Sequence, residues 1–203
     1  MIHTNGRIIG ITGGIATGKS TVTEYIQDKG YKVIDADKIA KSLMVKGSSS
    51  YKKTVEYFGK DILKKNGEID RKVLGDKVFS NPKLLKVLNS LTHPFIFEEI
   101  KRQLEEAYLD DIIFLDIPLL FEEYDNILKY DIHFDEIWLV FADRDTQIKR
   151  LMKRNDLTKK EAIERIDAQI DMDWKKGKAT RIIYNLHSIE NLKKDINLLL
   201  ENL

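Results

Sequence analysis

Five short apolar runs interrupt a chain whose remaining apolar positions recur at helical spacing. The first, Arg7-Ile8-Ile9-Gly10-Ile11-Thr12, is apolar and β-branched at successive positions, as a strand buried on both faces requires. The second is Lys32-Val33-Ile34, running into Asp35-Ala36-Asp37. The third lies within residues 112–122 and is apolar through Leu115. The fourth is 136–142, and the fifth, shorter, is 181–185. Between them the period changes. Residues 20–29 place Val22, Tyr25 and Ile26 on one helix face, which Gly30 ends. Residues 38–45 predict a second helix, 46–50 a loop, 145–154 a basic helix, and 188–203 a final amphipathic one. Thr158, with Glu161 three residues on, predicts a capped helix start. Residues 51–110 show no strand alternation and predict several helices. Breaks are expected near Gly59, Asn66-Gly67, Asn81-Pro82 and His93-Pro94, with one helix running from Phe95 to Tyr108.

Strands alternating with helices imply an α/β fold, a five-stranded parallel sheet flanked by helices. The helical block at 51–110 falls after the second strand, as an inserted lobe would. The expected division is a core of about 5–45, 111–143 and 179–203, a helical lobe of about 51–110, and a further helical segment of about 144–178.

Composition narrows the function classes. Hydrophobic content of 42% with 33% charged residues fits a folded globular chain of 203 residues. No apolar run approaches the length of a membrane span. The first residues lack the pattern of a secretory signal, so the expected location is cytoplasmic. With no cysteine, disulfides and thiol catalysis are excluded, and with only four histidines a structural zinc site is not expected. A net charge of +1 gives no electrostatic case for nucleic acid as a partner. Charge is uneven, however. Residues 144–160 carry seven basic and two acidic side chains, and 101–136 carry three basic and eleven acidic. The basic run reads either as a solvated helix face or as a clamp on a polyanion.

The stretch joining the first strand to the first helix favours the clamp. Gly13-Gly14-Ile15-Ala16-Thr17-Gly18-Lys19-Ser20-Thr21 fits the Walker A pattern without a mismatch. Glycines let successive N–H groups turn inward toward phosphate oxygens, and the helix N-terminus adds partial positive charge. Lys19 can reach the β- and γ-phosphates of ATP, and the Ser20 hydroxyl can ligate Mg²⁺. Ligands of open α/β sheets gather at the carboxyl ends of the strands. Asp35 and Asp37 follow the second strand, and Asp116 ends the third. A carboxylate there could take the acceptor's proton or hold Mg²⁺ through water; it could equally cap the next helix.

Nearly the whole chain resembles the dephospho-coenzyme A kinase family. The motifs occur in order: "GITGGIATGKSTV", "VIDADKIAK", "THPFI", "DIPLLFE", "QIKRLMKRNDLTKKEAIERIDAQ" and "IIYN". The resemblance implies a P-loop kinase fold in which 51–110 binds the acceptor and 144–178 forms a lid. It implies transfer of a phosphoryl group from ATP, with Mg²⁺, to the ribose 3′-hydroxyl of dephospho-CoA. Asp37 corresponds to the family's proposed base. Gln147, Arg150, Arg154, Arg165 and Gln169 match its lid pattern, and Asn185 the asparagine near the adenine. Residues 13–21, Arg150, Arg154 and Asn185 are then the expected ATP contacts. Asp37, His93, Asp116, Pro118, Leu119 and Glu122 are the expected acceptor contacts, and Lys19, Arg150 and Asp37 the catalytic set. Two positions depart from the pattern. Ala179-Thr180 stands where Ala-Asp is usual, and Asn185-Leu186-His187 where Asn-Gly or Asn-Asn-Gly is usual. Trp174 and Tyr184 are expected to pack rather than stack on a base.

Two other readings share part of this signal. A kinase for nucleoside monophosphates or another small alcohol would use a similar loop, lobe and lid. A nucleotide switch would carry an Asn-Lys-x-Asp guanine signature, and the chain has none. A monomer working on two small substrates is the expectation, with an oligomer left open by the sequence.

Overall fold

Strand β1 (Arg7–Gly13) is the centre of a five-stranded sheet with the order β2-β3-β1-β4-β5. The others are β2 (Lys32–Asp35), β3 (Ile112–Asp116), β4 (Glu136–Phe141) and β5 (Arg181–Tyr184), and every pairing is parallel. The structure is a computed structural model describing residues 6–107 and 109–203, with Phe79 described by its backbone alone. The expected core start at residue 5 and helix end at Tyr108 lie outside the described residues.

The sheet forms because its central strands are apolar on both faces. Ile9, Ile11, Phe114, Trp138 and Val140 are fully buried together with Val22, Ile26, Ile183 and Ile196. Burying each large apolar side chain contributes about 2 kcal/mol. That outweighs the roughly 1 kcal/mol lost by placing Gly10 in a strand. Helix α1 (Lys19–Asp28) supplies Val22 and Ile26 to this core, and α10 (Ile189–Glu201) supplies Leu192, Ile196 and Leu200.

Because β1 lies between β3 and β4, its connection to β2 and the connection from β3 to β4 run in opposite directions, and right-handed crossovers put them on opposite sides of the sheet. This is the switch point at which open α/β sheets bind ligands. Register aligns the carboxyl ends there: Asp35 is opposite Asp116, and Asp116 opposite Ile11.

Two compact units are distinguished. One comprises the chain up to Asp35 with Leu104–Leu203, the other Ala36–Gln103. The first holds the sheet, α1, α10 and α6 (Tyr124–Leu128). It also holds α7 (Arg144–Asn155), α8 (Lys159–Asp167) and α9 (Met172–Lys176). Helices α7 and α8 pack through Ile148, Leu151, Ala162 and Ile166. The expected cap of α8 is a full capping box between Thr158 and Glu161.

The second unit contains α2 (Ala36–Leu43), α3 (Ser49–Phe58), α4 (Arg71–Phe79) and most of α5 (Pro82–Glu106). Phe58, Ile62, Ile69, Leu74 and Val78 form its core. The expected break at His93-Pro94 is absent: α5 runs through Pro94 for 25 residues. Proline removes one N–H donor and crowds the preceding turn. Buried positions on both sides, Thr92, Phe97 and Ile100, keep the helix going. No helix among the described residues is long and apolar enough to cross a membrane.

Candidate active site

Within the stretch 13–21, residues 14–18 between β1 and α1 form a tight loop closed on itself. Thr17 is fully buried, and its hydroxyl donates to the Gly14 carbonyl at 2.9 Å. Ala16 and Gly18 have φ of 62° and 90°, both left-handed. A side chain at Gly18 would also collide with the Asn185 amide, so glycine is required twice over. Helix α1 then starts with no side-chain cap and no acidic residue in its first turn. Its free N–H groups and dipole therefore face the loop without an anion of the helix's own, an arrangement suited to phosphate.

Lys19 opens α1 and its ammonium is ion-paired with Asp116, at the end of β3. Asp116 is 3% exposed, so its charge sits out of water beside that cation. Ser20 is exposed on the same first turn. The Thr12 hydroxyl donates to the Pro118 carbonyl at 3.0 Å, tying the end of β1 to the segment after β3.

Arg150 lies across the loop from the side of α7. Its guanidinium donates to the Thr17 carbonyl at 3.3 Å and the Asn185 carbonyl at 3.0 Å. The Asn185 amide donates to the same Thr17 carbonyl at 2.8 Å. Arg150 and Asn185 are thus brought together over the phosphate loop. Arg154, one turn along, is exposed and donates to its neighbour Asn155 at 2.9 Å.

Glu122 is held inside the first unit. It accepts from Lys175 at 2.7 Å and from the Ile170 N–H at 3.3 Å, while the Lys175 side chain is entirely buried. The remaining Glu122 oxygen, Oε2, is buried with no partner among the described residues. Leu119 is 41% exposed, unlike the buried Leu120 beside it. Trp174 and Tyr184 are half-exposed and make edge contacts with Phe121 and Phe141 at 5.8 and 5.6 Å.

Asp37 and His93 belong to the second unit. Asp37 is exposed in the first turn of α2, two residues beyond the end of β2. His93 is half-buried in α5 with its ring edge-on to Phe97 at 5.4 Å.

One strong electrostatic feature lies at the opposite end of the sheet. Arg181 holds the Glu136 carboxyl down at about 2 against its ordinary 4.5, helped by Trp138 and Arg7 and opposed by burial. Arg181, Trp138 and Arg7 approach it at 2.7, 2.7 and 2.5 Å. It joins the first residues of β1, β4 and β5 and is structural.

Among the described residues no group of three or more His, Asp or Glu side chains could hold a metal ion. Ser20, exposed in the first turn of α1, and Asp116, paired with Lys19, bring oxygens to the loop, and Asp35 lies opposite Asp116 in the sheet. Few protein oxygens beside a phosphate cradle suit Mg²⁺, which is held largely by substrate phosphates and water.

Residues 13–21 and Arg150, singled out in the sequence, lie together in the structure. The sequence had no signal for Lys175 as the partner of Glu122, and it marked Gln147 and Gln169 only as part of the lid pattern.

Comparisons with known proteins agree with this geometry. The family model for dephospho-CoA kinase (CoaE) matches residues 7–191. The dephospho-CoA kinase of Carboxydothermus hydrogenoformans is 44% identical over 196 residues, covering 96% of this chain and 93% of that one. Among solved structures, the Thermus thermophilus protein TT1252 superposes with a TM-score of 0.80 at 30% identity, covering 98% of both chains. The dephospho-CoA kinase from Campylobacter jejuni gives 0.64 at 30% identity, again over 98% of both. Matched over nearly its full length by the family model and by its relatives, the chain belongs to the dephospho-CoA kinase family.

Proposed function

We propose that residues 13–21, Arg150 and Asn185 cradle ATP while Asp37 activates the acceptor. The reaction is that of the family: ATP-dependent phosphorylation of dephospho-CoA, giving coenzyme A and ADP. The family match favours this acceptor over a nucleoside monophosphate and an enzyme over a nucleotide switch.

Phosphoryl transfer needs alignment and charge neutralisation rather than covalent help. The loop amides and the start of α1 receive the phosphate oxygens. Lys19, held by Asp116 until ATP arrives, exchanges one anion for another and follows the γ-phosphoryl group as it moves. Arg150 keeps its positive charge beside the loop through the Thr17 and Asn185 carbonyls. Ser20, with Asp35 or Asp37 through water, would hold Mg²⁺, which supplies charge neutralisation at the β- and γ-phosphates. Asp37 accepts the proton of the ribose 3′-hydroxyl. His93, Pro118 and Leu119 contribute to acceptor binding. Glu122 supports that segment from inside, its carboxylate being engaged by Lys175. The chain works in the cytoplasm on these two small substrates and without a nucleic-acid partner, a reading supported by its composition and near-neutral charge.

The observation that carries the assignment is the uncapped, acid-free start of α1 behind a left-handed loop, with the Lys19 ammonium beside it. The test is an acceptor panel with ATP, products read by mass spectrometry. Dephospho-CoA should be converted to coenzyme A at a kcat/KM at least about 10³-fold above any nucleoside monophosphate, the discrimination expected of a site that hydrogen-bonds its substrate. Comparable conversion of a nucleoside monophosphate would overturn it.

A further inference from the structure

Both backbone groups of Ile15, in the phosphate loop, are taken up by glutamine side chains. The Ile15 N–H donates to Gln169 Oε1 at 2.7 Å, and Gln147 Nε2 donates to the Ile15 carbonyl at 2.7 Å. Gln147 lies in the first turn of α7 and is 2% exposed; Gln169 follows the end of α8. The two ends of the α7–α8 hairpin therefore grip one residue of the loop. Gln147 can approach because position 14 is glycine: a side chain there would meet Gln147 Nε2 at 2.8 Å and Met172 Sδ at 2.6 Å.

A trans peptide points its C=O and N–H in opposite directions. Holding the Ile15 carbonyl thus aims the Ala16 N–H, and Ala16 carries the left-handed φ of 62°. Holding the Ile15 N–H likewise aims the Gly14 carbonyl, which accepts from the Thr17 N–H at 3.3 Å and the Thr17 hydroxyl at 2.9 Å. The geometry points to Gln147 and Gln169 as positioning residues that set the amide directions of the phosphate loop from the feet of the α7–α8 hairpin. This rests on the reading of residues 13–21 as the ATP cradle. The roles are chemically distinct: a carbonyl demands a donor from Gln147, and an N–H demands an acceptor from Gln169.

That asymmetry is the test. Gln147→Glu replaces the donor by a carboxylate facing a carbonyl, whereas Gln169→Glu keeps an acceptor. ATP dissociation constants and steady-state kinetics are measured for both, with Lys19→Ala in parallel. Gln147→Glu should weaken ATP about tenfold or more, the size of a lost buried hydrogen bond with added repulsion. Gln169→Glu should stay within about threefold, and KM for dephospho-CoA within about twofold in both. Gln147→Met, which keeps the length and removes the donor, carries the same expectation if the charged variant does not fold. Equal effects of the two glutamate variants, or a Gln147 variant that binds ATP like wild type, would overturn the inference. If Lys19→Ala also used ATP normally, the cradle reading itself would fall; if it were impaired, only the positioning role would.

Discussion

The Lys19 ammonium, at the first residue of α1, is ion-paired with the Asp116 carboxylate at the last residue of β3. The pair spans the two adjacent strands whose ends meet at the switch point. It keeps a cation in place at the start of α1; in the proposed ATP site, phosphate would replace Asp116 as its partner. Replacing a salt bridge by a stronger polyanion contact costs less than desolvating a bare ammonium.

Asp116→Asn separates binding from turnover. Without its counter-charge, Lys19 is freer to bind phosphate in the ground state, so ATP affinity should be unchanged or up to about threefold tighter. Turnover should fall about tenfold or more, because once ATP has taken Lys19 the Asp116 carboxylate is the one expected to contact the acceptor. Steady-state kinetics with varied ATP decide it. Weaker ATP binding with turnover intact would assign Asp116 to ground-state binding alone.

Asp37→Asn keeps size and a hydrogen-bonding oxygen but removes the carboxylate proposed as the base. ATP affinity should remain within about threefold and turnover should drop about 10²-fold, the usual range for a lost general base. Asp35→Asn should do less. Normal turnover in Asp37→Asn beside a dead Asp35→Asn would move the base to Asp35.

Lys175→Met should be one of the most destabilising single changes in the chain. It leaves Glu122, which already has one unpartnered buried oxygen, without its cation. The expected cost is about 3–5 kcal/mol by urea denaturation, and Glu122→Gln added to it should recover most of the loss. A cost below about 1 kcal/mol would mean that the pair is solvated.

Glu136 makes stability depend on acid. Its folded pKa of about 2 lies below the ordinary 4.5, so the folded state binds its proton later than the unfolded chain. The stabilisation is therefore complete above about pH 4.5 and is lost as pH falls through about 2, a span worth on the order of 3 kcal/mol. Denaturation of wild type and Glu136→Gln should differ most near neutrality and converge in acid. A difference that does not change with pH would contradict the assignment.

What the sequence made legible was local. The five strands, the phosphate loop and the Thr158 cap each lie within a few residues, where period and residue type carry the signal. Pro94 misled because its local cost is outweighed by buried neighbours along α5. Arg150 and Arg154 share a helix face in sequence, yet Arg150 donates to the loop and to Asn185, 35 residues away, while Arg154 donates to its neighbour Asn155. The Glu122–Lys175 pair and the glutamine contacts on Ile15 join positions 53, 132 and 154 apart. No period or spacing encodes such partners; only the closed sheet brings them together.

The most direct measurement is the turnover of Lys19→Ala with ATP and dephospho-CoA, made where circular dichroism shows the variant folded. Removing a positioned charge from the transferring group costs on the order of 10²-fold or more, and coenzyme A formation should fall by that factor. A variant retaining more than about a third of wild-type turnover would contradict the placement of Lys19, and with it the phosphate loop, at the reacting phosphoryl group.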